Sequence, residues 1–462
     1  MKILKFGGSS IKDADRIRKV LDIVIRSKQE NGNIAVVFSA LGGVTDDLIE
    51  MSKRAALYAE DYIDRLNALE KRHFDIVNEL ISVKNRGQVL TEVKLLTNEL
   101  ADVLQGVYLV KELTPKTLDF IMSFGERLSA FIITEALRDI KFPASYLDTR
   151  QIIKTDENFG KANVDKTLAY QNIARHFNNS DEVQIITGFI GSTQKNETTT
   201  LGRGGSDYTA SLFAAALKVS ELEIWTDVNG VLSADPGKVK NAFSIPEMTY
   251  EEAMEMSHFG AKVIYPPTML PVLKERIPIR IRNTLNPEFT GTVIHNRHLS
   301  TNGMLIKGIS SISKVSLLRV QGSGIIGVAG FAARLFGALA KEKINIILIT
   351  QASSEHSICM AIEPGAAIRA KSLIEEEFHL EIRANLLDEV AVENDLTIVA
   401  IVGEHMRKTP GIASRLFQAL GNGKINVVAI AQGSSELNIS VVINQTDETK
   451  ALNIIHHTFF NL

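Results

Sequence analysis

The sequence predicts an α/β protein built on a mainly parallel sheet and ending in two ferredoxin-like units. Two observations carry the first part. Short β-branched apolar runs alternate with helical segments as far as about residue 295, and glycine-rich turns close several of those runs. A third observation carries the second part. Gly330–Asn345 (GFAARLFGALAKEKIN) matches Gly411–Asn426 (GIASRLFQALGNGKIN) at a constant offset of 81 residues, without gaps. The match continues from ITQASSE, ending at Glu355, into IAQGSSE, ending at Glu436. Each copy reads strand, turn, helix, strand and a strand that pairs back, the start of a ferredoxin-like unit.

A chain of 462 residues is too long for one core, so two to four domains are expected. The hydrophobic fraction of 45% and charged fraction of 23% are those of a soluble globular protein. A net charge of −3 gives no argument for nucleic acid or an acidic membrane surface as partner, and neither is expected. The single cysteine, Cys359, excludes an intrachain disulfide and fits a reducing compartment. The opening MKILKFGG is too short and too soon broken for a signal peptide. No apolar run approaches the roughly 20 residues of a membrane span. A cytoplasmic protein is expected.

Taken in order, Ile3-Leu4-Lys5-Phe6 is a strand that stops at Gly7-Gly8-Ser9-Ser10; Ile17, Val20, Leu21 and Val24 mark the helix behind it. Asn33 to Ser39 is a second buried strand, ending in Ala-Leu-Gly-Gly-Val-Thr45. From 46 to about 140 the chain is mostly helical, with Pro115 its one proline and Ser123-Phe124-Gly125-Glu126-Arg127 interrupting the pattern. Val183 to Phe189 is a further strand, followed by a polar turn from Gly191 to Thr200. Then come Leu201-Gly202-Arg203-Gly204-Gly205-Ser206-Asp207 and an alanine-rich helix over Tyr208 to Lys218, with Ser206 or Asp207 as its cap. Glu223 to Gly230 and Phe259 to Pro266 continue the alternation.

Two of these stretches carry chemistry. Around Arg203, glycines and a helix start leave backbone N–H groups directed at a cleft, where the helix dipole favours an anion. The stretch has no lysine for a Walker loop, and Asp207 stands where a dinucleotide fingerprint needs glycine. Lys5, at a strand end beside Gly7 and Gly8, can reach a phosphate as a point charge. Two anion sites on one sheet suggest phosphoryl transfer, which needs positioning and charge neutralisation more than covalent help. A carboxylate acceptor is already ionised at neutral pH and requires no general base. The ten histidines form no catalytic or metal-like cluster, and the adjacent His456 and His457 make a weak zinc reading. No protein metal site is expected.

Lys5-Phe-Gly-Gly-Ser-Ser10, Ser123-Phe-Gly-Glu126, Gly202-Arg-Gly-Gly-Ser-Asp207, Trp225-Thr-Asp-Val-Asn-Gly230 and Phe259-Gly-Ala-Lys262 follow one another in the order seen in aspartokinases. The set resembles that family, of the amino acid kinase fold, and the paired repeats resemble its two ACT regulatory domains. The resemblance covers essentially the whole chain. It implies a kinase domain over 1–297 and ACT domains over 298–387 and 388–462. It also implies transfer of phosphate from ATP, with Mg²⁺, to the β-carboxylate of L-aspartate. Carried over residue by residue, Lys5 with Gly7, Gly8 and Ser9 would hold the transferred group, and Asp207 would sit at the reacting centre. Arg203 would clamp the α-carboxylate of aspartate and Glu126 would accept its ammonium, with Thr45 and Ser206 adding hydroxyl contacts. Thr226, Asp227 and Leu232 would meet the nucleoside, and Lys262 and Val263 the ATP phosphates. One departure is Tyr265-Pro266-Pro267, where the family usually has His-Pro.

The tails resemble those of the threonine-sensitive bifunctional members, in which a homoserine dehydrogenase follows; that activity is not expected here. Asn345, Gln351, Asn426 and Gln432 would serve an amino-acid effector. An amide satisfies a hydroxyl, whereas a lysine effector would want a carboxylate for its ε-ammonium, so threonine is expected rather than lysine. Pairing of ACT domains implies a homodimer or larger assembly. Two alternatives remain at this point: another acceptor within the same fold, such as glutamate, acetylglutamate or uridylate, and a catalytically inactive amino-acid sensor.

Overall fold

Most strand-forming runs of the first 296 residues assemble into one large sheet in the computed structural model, which describes residues 1–177, 182–260, 264–296, 304–351 and 356–460. Two units are distinguished, one from 1–231, 244–250 and 264–296, the other from 232–243, 251–260 and the described residues beyond 303. In chain order the strands of the first unit are β1 (Lys2–Phe6), β2 (Ile34–Phe38), β3 (Ala144–Leu147), β4 (Lys154–Thr155), β5 (Val183–Thr187), β6 (Ile190–Thr193), β7 (Thr198–Thr200), β8 (Glu221–Thr226), β9 (Glu247–Thr249), β10 (Ile279–Asn283) and β11 (Thr292–His295). Eight of them form a sheet of order β3-β5-β2-β1-β8-β10-β11-β9. Neighbours are parallel except β10 and β11.

The helices are α1 (Ala14–Asn31), α2 (Val44–Ala56), α3 (Tyr62–Leu80), α4 (Val83–Val110), α5 (Pro115–Asp139), α6 (Lys166–Phe177), α7 (Gly205–Ala216), α8 (Tyr250–His258) and α9 (Pro266–Lys274). Leu4, Phe6, Val36, Phe38 and Ile185 bury one sheet face against α1 to α5. On the other face α7 packs on β1, β2 and β8, with α6 and α9 against it. This is the mainly parallel, three-layer arrangement expected. Phe6 stacks between Phe38 and Trp225, with ring centres 5.5 and 5.7 Å apart. These rings stand at one register level, Phe6 opposite both Phe38 and Trp225. The chain therefore leaves β1, β2 and β8 at a common rim, the carboxyl end where such sheets bind ligands.

Three local expectations are corrected. Ser123 to Arg127 does not interrupt a helix: α5 runs unbroken through it. Gly125 is there for space, since a Cβ would come within 2.7 Å of the Ala40 Cβ. The polar turn from Gly191 to Thr200 is instead a small three-stranded sheet of order β4-β6-β7, whose β-branched Thr198-Thr199-Thr200 is buried. Neither Ser206 nor Asp207 caps α7. The cap is Gly204, left-handed at φ 70°, so the helix starts earlier and takes Ser206 and Asp207 into its first turn.

The second unit carries β12 (Gly308–Gln321), β13 (Ile346–Gln351), β14 (Ser357–Ile362), β15 (Ala391–Val402), β16 (Val427–Ala431) and β17 (Asn438–Asn444). They form an antiparallel sheet of order β13-β14-β12-β15-β17-β16. Its helices are α10 (Phe331–Lys341), α11 (Ala367–Glu377), α12 (His379–Arg383), α13 (Ile412–Asn422) and α14 (Glu448–Phe460). The copies are interleaved. The first core runs from Leu318 to Val390, while Ile306 and Ile309, from before the first copy, join the second core with Val399 to Ile455. The long β12 explains this: residues 308–313 pair with the end of β15 and residues 316–321 with β14. The segments 298–387 and 388–462 expected from the sequence thus share strands. Ala234 and Val239, from the excursion 232–243, also join the second core.

Candidate active site

Alternation along β1 decides which way each side chain points. Leu4 and Phe6 face α1 to α5, which turns Lys5 toward the face where α7 packs. Lys5 is 8% exposed, and its Nζ lies 2.7 Å from Asp207 Oδ1. The strand end and the glycine loop, 200 residues apart in the chain, therefore meet as the sequence suggested. Lys5 retains donors for a phosphate beside this single carboxylate. The N-terminus of α7 adds partial positive charge in the same place.

Glycines let these elements close up. A Cβ on Gly8 would lie 2.8 Å from the Ala40 carbonyl oxygen, so the turns after β1 and β2 touch through backbone. A Cβ on Gly205 would lie 2.6 Å from Phe189 Cδ2. The resulting cavity, about 400 Å³, is lined by Lys5, Arg203, Ser206 and Asp207, by Thr45 and Ile49 of α2, and by Met122 and Glu126 of α5. Ser39, Gly160, Phe189, Thr200, Gly202, Gly204 and Gly205 complete it.

Glu126 is the most unusual group in the lining. It is 3% exposed. Its Oε1 accepts a hydrogen bond from the Ala40 N–H at 3.1 Å, while Oε2 is buried with no hydrogen-bond partner among the described residues. Burial pushes its carboxyl up to about 8, against the pull of that N–H and of the Lys5 charge. An unpaired buried carboxylate oxygen is costly unless a cation meets it. Arg203 is exposed, its guanidinium carbon 5.6 Å from the ring centre of Tyr265, the N-cap of α9.

The other expected residues are placed differently. Gly7, Gly8, Ser9, Thr226 and Asp227 stand on the common rim but do not line the cavity. Gly7 N–H donates to the Trp225 carbonyl at 3.2 Å, which sets the first turn beside the end of β8. Leu232 groups with the second unit and is half-buried. Lys262 and Val263 lie outside the described residues. Asn345 and Asn426 precede β13 and β16, and Gln351 and Gln432 stand at the ends of those strands; all four are exposed. His456 Nε2 is hydrogen-bonded with Ser233 Oγ at 3.0 Å. Among the described residues no group of three or more His, Cys, Asp or Glu is arranged to hold a metal ion.

Sequence reading missed Ile49, Met122, Phe189, Gly160 and Thr200. For Met122 a signal existed: it lies four residues before Glu126, on the same helix face. A lysine and a helix N-terminus for an anion, a guanidinium for a carboxylate and a bare carboxylate for an ammonium suit a small amino acid next to a phosphate.

The amino acid kinase family matches residues 1–283, and an ACT domain matches 318–378 and again 399–459. The bifunctional aspartokinase/homoserine dehydrogenase 1 of maize, a chloroplastic protein, is 36% identical over 461 residues, covering 99% of this chain and 50% of its own length. The chain thus spans about half the length of such bifunctional relatives. Escherichia coli aspartokinase III, solved in complex with aspartate and ADP in the R-state, is 30% identical with a TM-score of 0.84, and each chain covers 100% of the other. The T-state of that enzyme, solved with lysine and aspartate, gives a TM-score of 0.79 at the same 30% identity, covering 100% of this chain and 99% of that one.

Proposed function

Since the chain belongs to the amino acid kinase family, among its aspartokinases, we propose that it transfers the γ-phosphoryl group of ATP to the β-carboxylate of L-aspartate, giving 4-phospho-L-aspartate and ADP. The observation that carries this reading is the single cavity shared by the Lys5–Asp207 ion pair and the bare Oε2 of Glu126. In it Glu126 takes the α-ammonium and Arg203 the α-carboxylate, with Thr45 and Ser206 supplying hydroxyls. The β-carboxylate is then left to face Lys5.

The acceptor is an anion attacking an anionic phosphate, so charge is the main obstacle. Lys5 and the α7 N-terminus neutralise it, and Asp207 fixes the lysine ammonium at one point. Gly7, Gly8 and Ser9 offer backbone to the phosphates, and at Gly8 a Cβ would not fit, lying 2.8 Å from the Ala40 carbonyl oxygen. Thr226 and Asp227, where β8 ends, lie next to that turn for the nucleoside. The donor set fits a Mg²⁺ that arrives with the nucleotide, since Asp207 is the only carboxylate in the cavity besides Glu126. Such an ion would spread the phosphate charge further.

ADP release measured with aspartate, with glutamate and with no acceptor tests the assignment. Turnover with aspartate alone is expected; equal turnover with glutamate, or none with either, rejects it. For the ACT copies, the exposed amides Gln351 and Gln432 support threonine as effector. Inhibition by lysine with full activity at saturating threonine would reverse that choice. A homodimer is supported by the exposed apolar side chains of Ile349 on β13 and Ile430 on β16, each 47% exposed; the two strands themselves meet within the chain, the Thr350 hydroxyl donating to the Ile430 carbonyl at 2.9 Å.

A further inference from the structure

Asp119 has no role in the chemistry above, yet its side chain is fully buried, 0% exposed, with no ion pair among the described residues. It lies on α5 seven residues before Glu126, with Met122 between them, so the three share one helix face. Its Oδ2 accepts the backbone N–H of Gly160 at 2.8 Å and of Thr200 at 2.9 Å, and its Oδ1 accepts the Thr200 hydroxyl at 2.7 Å. All three donors belong to residues that line the cavity. The Thr200 carbonyl in turn accepts the Ala162 N–H at 2.9 Å, closing the 160 turn onto β7. Two residues on, Gly202 adopts φ 72° so tightly under that turn that a Cβ would sit 3.2 Å from Lys161 Cγ. Arg203 follows directly.

We propose that Asp119 is a positioning residue: it ties the Gly160 turn and Thr200 to α5, and so sets Arg203 at the separation from Glu126 that a bound amino acid spans. Buried polar groups are satisfied by hydrogen bonds, and this carboxylate makes none to its own helix. Here every bond goes to backbone or hydroxyl of the two segments that carry the substrate clamp. Helix α5 thereby sets both ends of the acceptor, one through Glu126 directly and the other through Asp119. The proposal rests on the aspartate reading for its kinetic consequence, not for the clamp itself.

Asp119→Ala removes both acceptor oxygens, so the Gly160 and Thr200 N–H groups lose their partner; Asp119→Asn is the near-isosteric control, because its oxygen can keep both N–H groups while its NH₂ donates to the Thr200 hydroxyl. Thr200→Val removes only the hydroxyl bond and leaves the carboxylate intact. Hydrogen exchange, read without substrate, should show faster exchange in Asp119→Ala confined to residues 157–163 and 198–207, and a much smaller change in Asp119→Asn. A smaller effect in the same segments is expected for Thr200→Val. In turnover of Asp119→Ala, KM for aspartate should rise about tenfold or more, within the range that unpaired buried donors cost, with KM for ATP and kcat changed by no more than about twofold. Exchange that is unchanged, or faster throughout the chain, overturns the clamp. Localised exchange with KM for ATP and aspartate raised alike overturns the link to Arg203. If the protein does not phosphorylate aspartate at all, the exchange result still decides the clamp.

Discussion

A carboxyl group that burial holds up to about 8 has to lose its proton before it can hold an ammonium ion. For Glu126 the sign follows directly. Its folded value lies above the ordinary 4.5, so the neutral form dominates at pH 7, and on the proposed function aspartate binding would expel a proton. Between the two values the native state binds more protons than the unfolded chain. Its contribution to stability is therefore present below the unfolded value and is lost as pH rises through about 8. The expectation is that KM for aspartate falls about tenfold per pH unit from pH 6 toward 8 and then levels. Calorimetry at pH 7 in buffers of different ionisation enthalpy should register close to one proton released per aspartate bound. Glu126→Gln should remove both the slope and the proton release while raising KM. A KM independent of pH in the unsubstituted protein would mean that the ammonium is held elsewhere.

At the scale of elements, α5 and α7 show what the sequence made legible and what it did not. The strand before Gly7, the glycine loop at 202–205 and the helix behind it are written in local chemistry, so Lys5 and Arg203 could be singled out from it, whereas the place of Asp207 at the reacting centre came from the resemblance to aspartokinases. The lower helix propensity of Gly125 reads as a break, because the Ala40 methyl that requires it lies 85 residues away. With the break in place, the shared face of Asp119, Met122 and Glu126 is invisible. The threonine-rich hairpin β6–β7 was hidden likewise, since its burial comes from tertiary packing rather than composition. In α3, His73 is fully buried; its Nδ1 pairs with the Leu69 carbonyl at 2.7 Å and its Nε2 has no partner among the described residues. Burial pushes it down to about 4 from 6.5. Its contribution is present above the unfolded value and is lost as pH falls through the folded one, amounting to about 3 kcal/mol. Urea unfolding followed from pH 7 to 4 should therefore show a shallower acid loss in His73→Leu than in the unsubstituted protein. Equal slopes would show that His73 does not drive acid sensitivity.

On the scale of the whole chain, the 81-residue repeat announced two copies but not their interleaving. A repeat aligns residues that are alike, whereas β12 belongs to both copies and has no internal likeness to report. Because β12 and β15 each serve both cores, the copies should lose structure together. Leu416→Ala, in the second core, should speed hydrogen exchange in α10 of the first copy as well as in α13; an effect confined to the second copy would contradict shared strands. The glycine loop and the first strand converge on one phosphoryl group only if Lys5 serves the transfer itself. The most direct measurement is single-turnover reaction with ATP and aspartate in the presence of hydroxylamine, which traps an acyl phosphate as its hydroxamate, on the unsubstituted protein and on Lys5→Ala. The predicted result is one hydroxamate per ADP in the former, and a rate lower by about 10²–10³ in the latter, the effect of removing a charge aimed at the transition state. ADP formed without hydroxamate, or an undiminished rate in Lys5→Ala, would contradict it.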